Sequence, residues 1–148
     1  MGRLFGTDGI RGEVNRFPMD GITAFQFGQA LTHILRQGKP TPQIIIGKDT
    51  RNSGYMLERS LEAGIASMGG TSHNVGVVPT PAIAYIAKDM GFNAGIVISA
   101  SHNPYHDNGL KTFNSDGFKL SDAQENEIEE LILNDRLKEN TPHPKAIG

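Results

Sequence analysis

Apolar residues along this chain alternate between two spacings, one helical and one suited to buried strands. From Asp20 to Gln37, Ile22, Phe25, Leu31, Ile34 and Leu35 recur at near-helical intervals, and Gly38 is placed to end the helix. Within Pro42 to Gly47, Ile44-Ile45-Ile46 is a continuous β-branched run, the pattern of a strand covered on both faces. Ser53 is positioned to cap a second helix running to Met68 and closed by Gly69-Gly70. Thr71 to Val78 predicts a strand, and Thr80-Pro81 a cap and first turn for a helix through Met90. Ala94 to Ser99, with Ile96-Val97-Ile98, predicts another buried strand, and Leu110 to Phe113 and Phe118 to Leu120 two short ones. Ser121-Asp122-Ala123-Gln124 has the capping-box spacing. The acidic stretch Glu125 to Glu130 suits the start of that helix, whose apolar stripe is Ile128, Leu131 and Ile132.

Strand–helix alternation at these lengths predicts an α/β fold with helices layered around a mixed, mostly parallel sheet, the last short strands adding an antiparallel edge. Residues 1–140 read as one domain. Residues 141–148, with Pro142 and Pro144 and no periodicity, read as the start of an interdomain linker. In such sheets ligands bind beyond the carboxyl ends of the strands. That rule selects Lys48 to Ser53, Val78 to Pro81 and Ala100 to Asn108, with the glycine-rich start Gly6 to Gly12 within reach.

Composition narrows the partners. At 148 residues, with a net charge of −2 and no basic run, the chain offers no field for nucleic acid. No apolar run is long enough to cross a bilayer, so no membrane partner is expected, and residues 1–6 lack the apolar core of a signal peptide. The absence of Cys excludes disulfides and thiolate chemistry and suits a cytoplasmic location. The 18 glycines are dispersed through patterned segments, as turns and close backbone approaches.

Chemistry concentrates in one place. Ser99-Ala100-Ser101-His102-Asn103-Pro104 follows the most apolar strand and leads into Tyr105-His106-Asp107-Asn108-Gly109-Leu110-Lys111. Pro104 keeps Asn103 extended, so the strand ends in a constrained loop. A polar surface turn is one reading of this segment. A hydrolase is another, since Ser101 and His102 have the right types for nucleophile and base. It lacks the Gly-x-Ser-x-Gly elbow, however, and adjacent residues do not normally point at each other as base and nucleophile must. Phosphoryl transfer fits better, because it needs positioning and cations more than a strongly activated nucleophile. Arg11, Lys48, Arg51 and Lys111 lie in or beside the selected loops.

Gly95-Ile96-Val97-Ile98-Ser99-Ala100-Ser101-His102-Asn103-Pro104 resembles the phosphoserine signature of the α-D-phosphohexomutases. Four further strings, in the family's order, carry the likeness along the chain. They are residues 5–12 (Phe-Gly-Thr-Asp-Gly-Ile-Arg-Gly), residues 47–54 (Gly-Lys-Asp-Thr-Arg-Asn-Ser-Gly), Pro79-Thr80-Pro81, and Asp107-Asn108-Gly109-Leu110-Lys111. The opening motif and Ser99-Ala100-Ser101 are most similar to the branch that handles glucosamine phosphates, with the mannose and glucose phosphate branches next.

The resemblance implies a domain carrying the catalytic serine of an enzyme that interconverts glucosamine 6-phosphate and glucosamine 1-phosphate, in bacteria a step toward cell-wall precursors. It passes through a phosphoserine and a bisphosphorylated sugar. Ser101 is then the phosphoryl carrier, and His102, Lys111 and Arg11 are catalytic candidates, with the roles of His102 and Lys111 open between proton transfer and charge stabilisation. Arg51 and Ser53 are supporting residues, with an Asp49–Arg51 brace and a plain Ser cap as the rival explanation. Mg²⁺ is the implied cofactor, met in this chain only through the Ser101 phosphate; the partners are a phosphosugar and the remaining domains of the same enzyme. The family's Asp-x-Asp-x-Asp metal segment, sugar-reading loop and Arg-x-Ser-Gly-Thr phosphate clamp have no counterpart here. The stretch alone is therefore expected to fold but not to turn over. A sugar-phosphate-binding module without chemistry is the competing class.

Overall fold

Alternate residues of the two isoleucine-rich runs face opposite ways and build two separate cores. The computed structural model describes residues 4–38 and 40–147. Ile44, Ile46, Ile96 and Ile98 join Phe27, Leu31, Leu57, Leu61 and Ile128 in the larger core, whereas Ile45 and Val97 meet Ile83 and Ala87 in the smaller one. That division is the period-two geometry of strands buried on both faces.

The strands are β1 (Ile10–Glu13), β2 (Gln43–Lys48), β3 (Thr71–Val77), β4 (Ala94–Ile98) and β5 (Asp107–Asn114), in the sheet order β1-β5-β4-β2-β3. Helices α1 (Gly21–Arg36), α2 (Ser53–Ser67) and α4 (Asp122–Leu133) contribute to the larger core, and α3 (Thr80–Asp89) covers the other face. β2 pairs in parallel with both β3 and β4, while β5 runs antiparallel to β4 and β1 antiparallel to β5. The sheet is mixed, as expected, but its antiparallel part is larger than a short edge: β5 lies inside the sheet, and the opening segment supplies the edge strand. β5 also begins at Asp107, ahead of the expected Leu110. Its first residues, Asp107-Asn108-Gly109, are turn formers by type and so hid the strand. Gly109 is there because a Cβ would stand 2.7 Å from Ser99 O and 3.0 Å from Ile10 O.

The helix starts divide between expectation and correction. Asp20 Oδ1 accepts from Thr23 N at 2.7 Å, and Ser121 and Gln124 form the full capping box. Ser53, however, is not a cap: Asn52 occupies that position without a side-chain cap, and Ser53 Oγ instead accepts from Asn108 Nδ2 at 2.8 Å. Thr80 is already helical, Pro79 being the residue before the first turn. Phe118 to Leu120 forms no strand; a single bridge links Phe113 to Lys119. The tail carries short 3-10 turns at Lys138–Asn140 and Pro144–Ala146. At the other end, Leu4 N and Phe5 N both donate to Glu129 Oε2, at 2.6 and 3.0 Å, which ties the opening segment to α4.

α1 and α2 touch through glycine. A Cβ on Gly64 would sit 2.1 Å from Phe25 O, a backbone atom with no freedom to yield. Gly64→Ala is expected to destabilise the fold by roughly 1–3 kcal/mol through overpacking. Denaturant unfolding with an unchanged slope is the measurement, and an equal midpoint would refute this contact's weight.

Candidate phosphoryl-transfer site

The loops after β2 and β4 leave neighbouring strands at one end of the sheet. The helix after β2 covers one face and the helix before β4 the other, so a crevice opens where the winding reverses. Asp49 N donates to Ile98 O at 3.0 Å, which stitches the two loop bases together.

Ser99 and Ser101 part company at the end of β4. Ser99 is buried, at 5% exposure, and its Oγ accepts from Ser101 N at 3.1 Å. Ser101 is exposed and left-handed, with φ of +53°, one of three such non-glycine residues among the described residues. Lys111 Nζ donates to its Oγ at 3.0 Å. Lys111 reaches it from β5, where its partner across the ladder is Val97.

Two arginines meet the same loop. Arg51 donates through Nη2 to the carbonyls of Ser101 (3.2 Å) and Asn103 (2.6 Å) and is paired through Nη1 with Asp49, the expected brace. Arg11, on β1, donates through Nη1 to Asn103 Oδ1 at 3.5 Å and lies 3.8 Å from Asp8. Asn103 in turn donates to Asp107 Oδ2 at 3.3 Å. Arg11 Nε and Arg51 Nε are buried donors without an acceptor among the described residues. Both guanidinium groups are thus bonded to the turn that carries Ser101, and they bring positive charge to it. His102 is in the same turn and exposed. Sequence reasoning missed the roles of Asn103, Asn108 and Ser99, whose polar types are ordinary for a loop and become informative only through their partners.

Lys111 also lines a cavity of about 260 Å³ together with Thr7, Asp8, Gly9, Thr80 and Phe113. The opening loop and the start of α3 thus share a cavity wall with the lysine that holds Ser101.

Lys48 does not join this group of cations. Its ammonium lies 2.8 Å from Glu58 Oε2, both side chains nearly sealed (5% and 6% exposed), and 4.6 Å over the Tyr55 ring. Beside it, burial pushes the Glu62 carboxyl above the usual range, and the Glu58 charge adds to that, while Arg59, Lys48 and Asn74 oppose it. Lys48→Ala would strand a buried carboxylate next to a second one. We expect a stability loss of about 3–5 kcal/mol, and partial recovery when Glu58→Leu is added to Lys48→Met. Equal unfolding midpoints for parent and Lys48→Ala would contradict it.

No group of three or more His, Cys, Asp or Glu able to hold a metal occurs among the described residues. Asp49 is engaged by Arg51, and Asp107 by Asn103. These carboxylates do not fit a Mg²⁺ site by themselves. No helix among the described residues is long and apolar enough to cross a membrane.

Comparison with known proteins adds three findings. Residues 2–139 match the model of the family described as phosphoglucomutase/phosphomannomutase, alpha/beta/alpha domain I. Phosphoglucosamine mutase of Syntrophobacter fumaroxidans is 60% identical over all of this chain, and that of Syntrophus aciditrophicus 51%, each match covering 33% of the relative. The chain thus spans about a third of the length of the curated relatives it matches. Among solved structures, a phosphoglucomutase/phosphomannomutase family protein from Burkholderia thailandensis superposes with a TM-score of 0.77 at 28% identity, over 90% of this chain and 30% of that one.

Proposed function

Because the chain belongs to the phosphoglucomutase/phosphomannomutase family, as its alpha/beta/alpha domain I, we propose that it is the serine-carrying domain of a phosphoglucosamine mutase. The observation that carries the reading is the contact of Lys111 Nζ with Ser101 Oγ, 3.0 Å apart, on a serine turned out of the sheet. The sugar is assigned from the phosphoglucosamine mutases that are 51–60% identical over the whole chain.

Ser101 enters the cycle as phosphoserine. The sugar's free hydroxyl attacks the phosphorus, a new O–P bond forms on the sugar, and the Ser101 Oγ–P bond breaks. Oγ leaves as an alkoxide beside the Lys111 ammonium, which stabilises the charge and is placed to supply a proton; the attacking hydroxyl gives its proton to His102 or to solvent. The bisphosphorylated sugar then turns over in the site and returns its other phosphoryl group to Ser101. A serine phosphate adds about −1.5 to −2 charges, so cations must face it. Lys111 does so directly, and the guanidinium groups of Arg11 and Arg51, bonded to the same turn, add positive charge around it. His102, adjacent and exposed, is assigned to hydrogen-bonding the phosphate or moving the hydroxyl proton.

Mg²⁺ belongs to this reading as a counter-charge to the phosphoryl oxygens, held in this chain only through the phosphate of Ser101. We assign residues 1–140 to this domain and 141–148 to the linker that leaves it, the further domains supplying the other ligands and the sugar-reading groups. The setting is the bacterial cytoplasm.

The test is a coupled assay for glucosamine 1-phosphate with the full-length protein, and with mannose and glucose phosphates as competitors. Turnover of the amino sugar above the other two supports the assignment. Preference for mannose or glucose phosphate moves the protein to a neighbouring branch, and sugar-phosphate binding without turnover makes it a non-catalytic module.

A further inference from the structure

A residue with a side chain persists at positive φ only where its surroundings over-determine the backbone. Ser101, at φ +53°, is such a residue. Its amide is taken by Ser99 Oγ at 3.1 Å, and its carbonyl by Arg51 Nη2 at 3.2 Å. The same Nη2 holds the Asn103 carbonyl at 2.6 Å, so one nitrogen spans the turn on both sides of His102. The guanidinium is itself fixed. Asp49 pairs with Nη1, its Oδ1 accepts from Arg51 N at 3.0 Å, and Asp49 N is bonded to Ile98 O at 3.0 Å. A closed circuit therefore runs from the end of β4 through Asp49 and Arg51 back to the two carbonyls of the serine turn.

We infer that Arg51 is a positioning residue for phosphoryl transfer: its grip on the Ser101 and Asn103 carbonyls sets the left-handed turn that aims Ser101 Oγ at Lys111. The inference rests on the phosphoserine reading above. It assigns Arg51 a task beyond the pairing with Asp49 that its neighbour in sequence already predicts. By occupying the two carbonyl oxygens, Arg51 also turns partial negative charge away from the place where a phosphate dianion must sit. Lysine cannot substitute, because a point ammonium lacks the planar fork that serves a carboxylate on one nitrogen and two carbonyls on the other.

The experiment compares Arg51→Lys and Arg51→Ala with the parent, all as full-length protein, by kcat, KM for the sugar phosphate, thermal midpoint and phosphate content at Ser101. Arg51→Lys is expected to melt close to the parent and to keep KM within about twofold, while kcat falls roughly 100-fold, the order of loss typical of a misplaced reacting group. Added guanidinium is expected to restore roughly tenfold of the lost kcat to Arg51→Ala without raising its melting midpoint, an effect that a purely structural arginine would not give. An Arg51→Lys protein with kcat within about twofold of the parent overturns the inference, as does a loss of kcat that merely follows the folded fraction. A parent that turns over with Ser101 unphosphorylated fells the phosphoserine reading and this inference together. A phosphorylated, active parent beside an equally active Arg51→Lys fells this inference alone.

Discussion

Ser101→Ala in the full-length protein is expected to abolish the phosphoenzyme and to lower mutase turnover by on the order of 10⁴-fold or more, the scale seen when a covalent carrier is removed from a site that acts as a unit. Ser99→Ala is expected to keep the phosphate and most of the turnover. The two hydroxyls are only two residues apart on one strand end, yet the fold has given them opposite surroundings. Ser99 is sealed beneath the turn and spends its Oγ as acceptor for Ser101 N, whereas Ser101 is exposed with its Oγ in contact with Lys111. Losing the Ser99 acceptor removes one partly buried hydrogen bond, worth about 1 kcal/mol of stability. It also loosens the turn, so a loss of turnover of no more than about twofold is expected for that variant. Phosphopeptide mapping of both variants beside the parent decides between them. A label that persists in Ser101→Ala and vanishes in Ser99→Ala would reverse the assignment.

The parts of the fold that were legible in the sequence are those governed by local rules. Ile44-Ile45-Ile46 and Ile96-Val97-Ile98 announce doubly covered strands, because they are short, continuous and β-branched, and both sheet faces bury them. The Ser121 to Gln124 box and the Asp20 cap are local hydrogen-bond patterns, and both are present. Pairing partners are not local. Nothing in Asp107-Asn108-Gly109 says that these residues will pair with Glu13, Gly12 and Arg11 of β1, and that pairing turns three turn-forming residues into strand. Ser53 shows the same limit at a single position. Its type and place before an apolar stripe fit a cap, but Asn108, which comes from β5, offers a donor that only the tertiary fold supplies.

At the candidate site the division is similar. Ser101 and Lys111 could be named from motif order, and they stand 3.0 Å apart. Lys48 lies in the middle of an equally suggestive motif, yet it belongs to the fold's interior: β2 turns it inward, where Glu58 neutralises it. Among the cations of this region, location relative to the switch in winding separates function from structure. Arg51 is a few residues past the end of β2 and faces the β4 loop; Lys48 is the last residue of β2 and faces α2. A phosphate dianion on Ser101, as proposed, would stand beside Lys111 and apart from the buried Lys48–Glu58 pair.

Lys111→Ala in the full-length protein is expected to lower kcat by roughly 10²–10³-fold, the usual cost of removing a donor that faces charge developing in the transition state. The ammonium donates to Ser101 Oγ, the leaving oxygen of the proposed transfer, so its stabilisation would grow as the Oγ–P bond breaks and be small before it does. The loss should accordingly appear in kcat, with KM for the sugar phosphate changed little. Stability gives the control. Lys111 is half-buried on β5 and pairs with no carboxylate among the described residues, so its removal is expected to shift unfolding by no more than about 0.5 kcal/mol. Lys111→Arg retains a cation of different shape and reach, and should recover part of the rate, which separates the need for charge from the need for a proton donor. Steady-state kinetics and denaturant unfolding on the same three preparations give both quantities. Turnover of Lys111→Ala within about twofold of the parent would return Lys111 to an ordinary strand lysine and leave the departing Oγ without a partner in this chain.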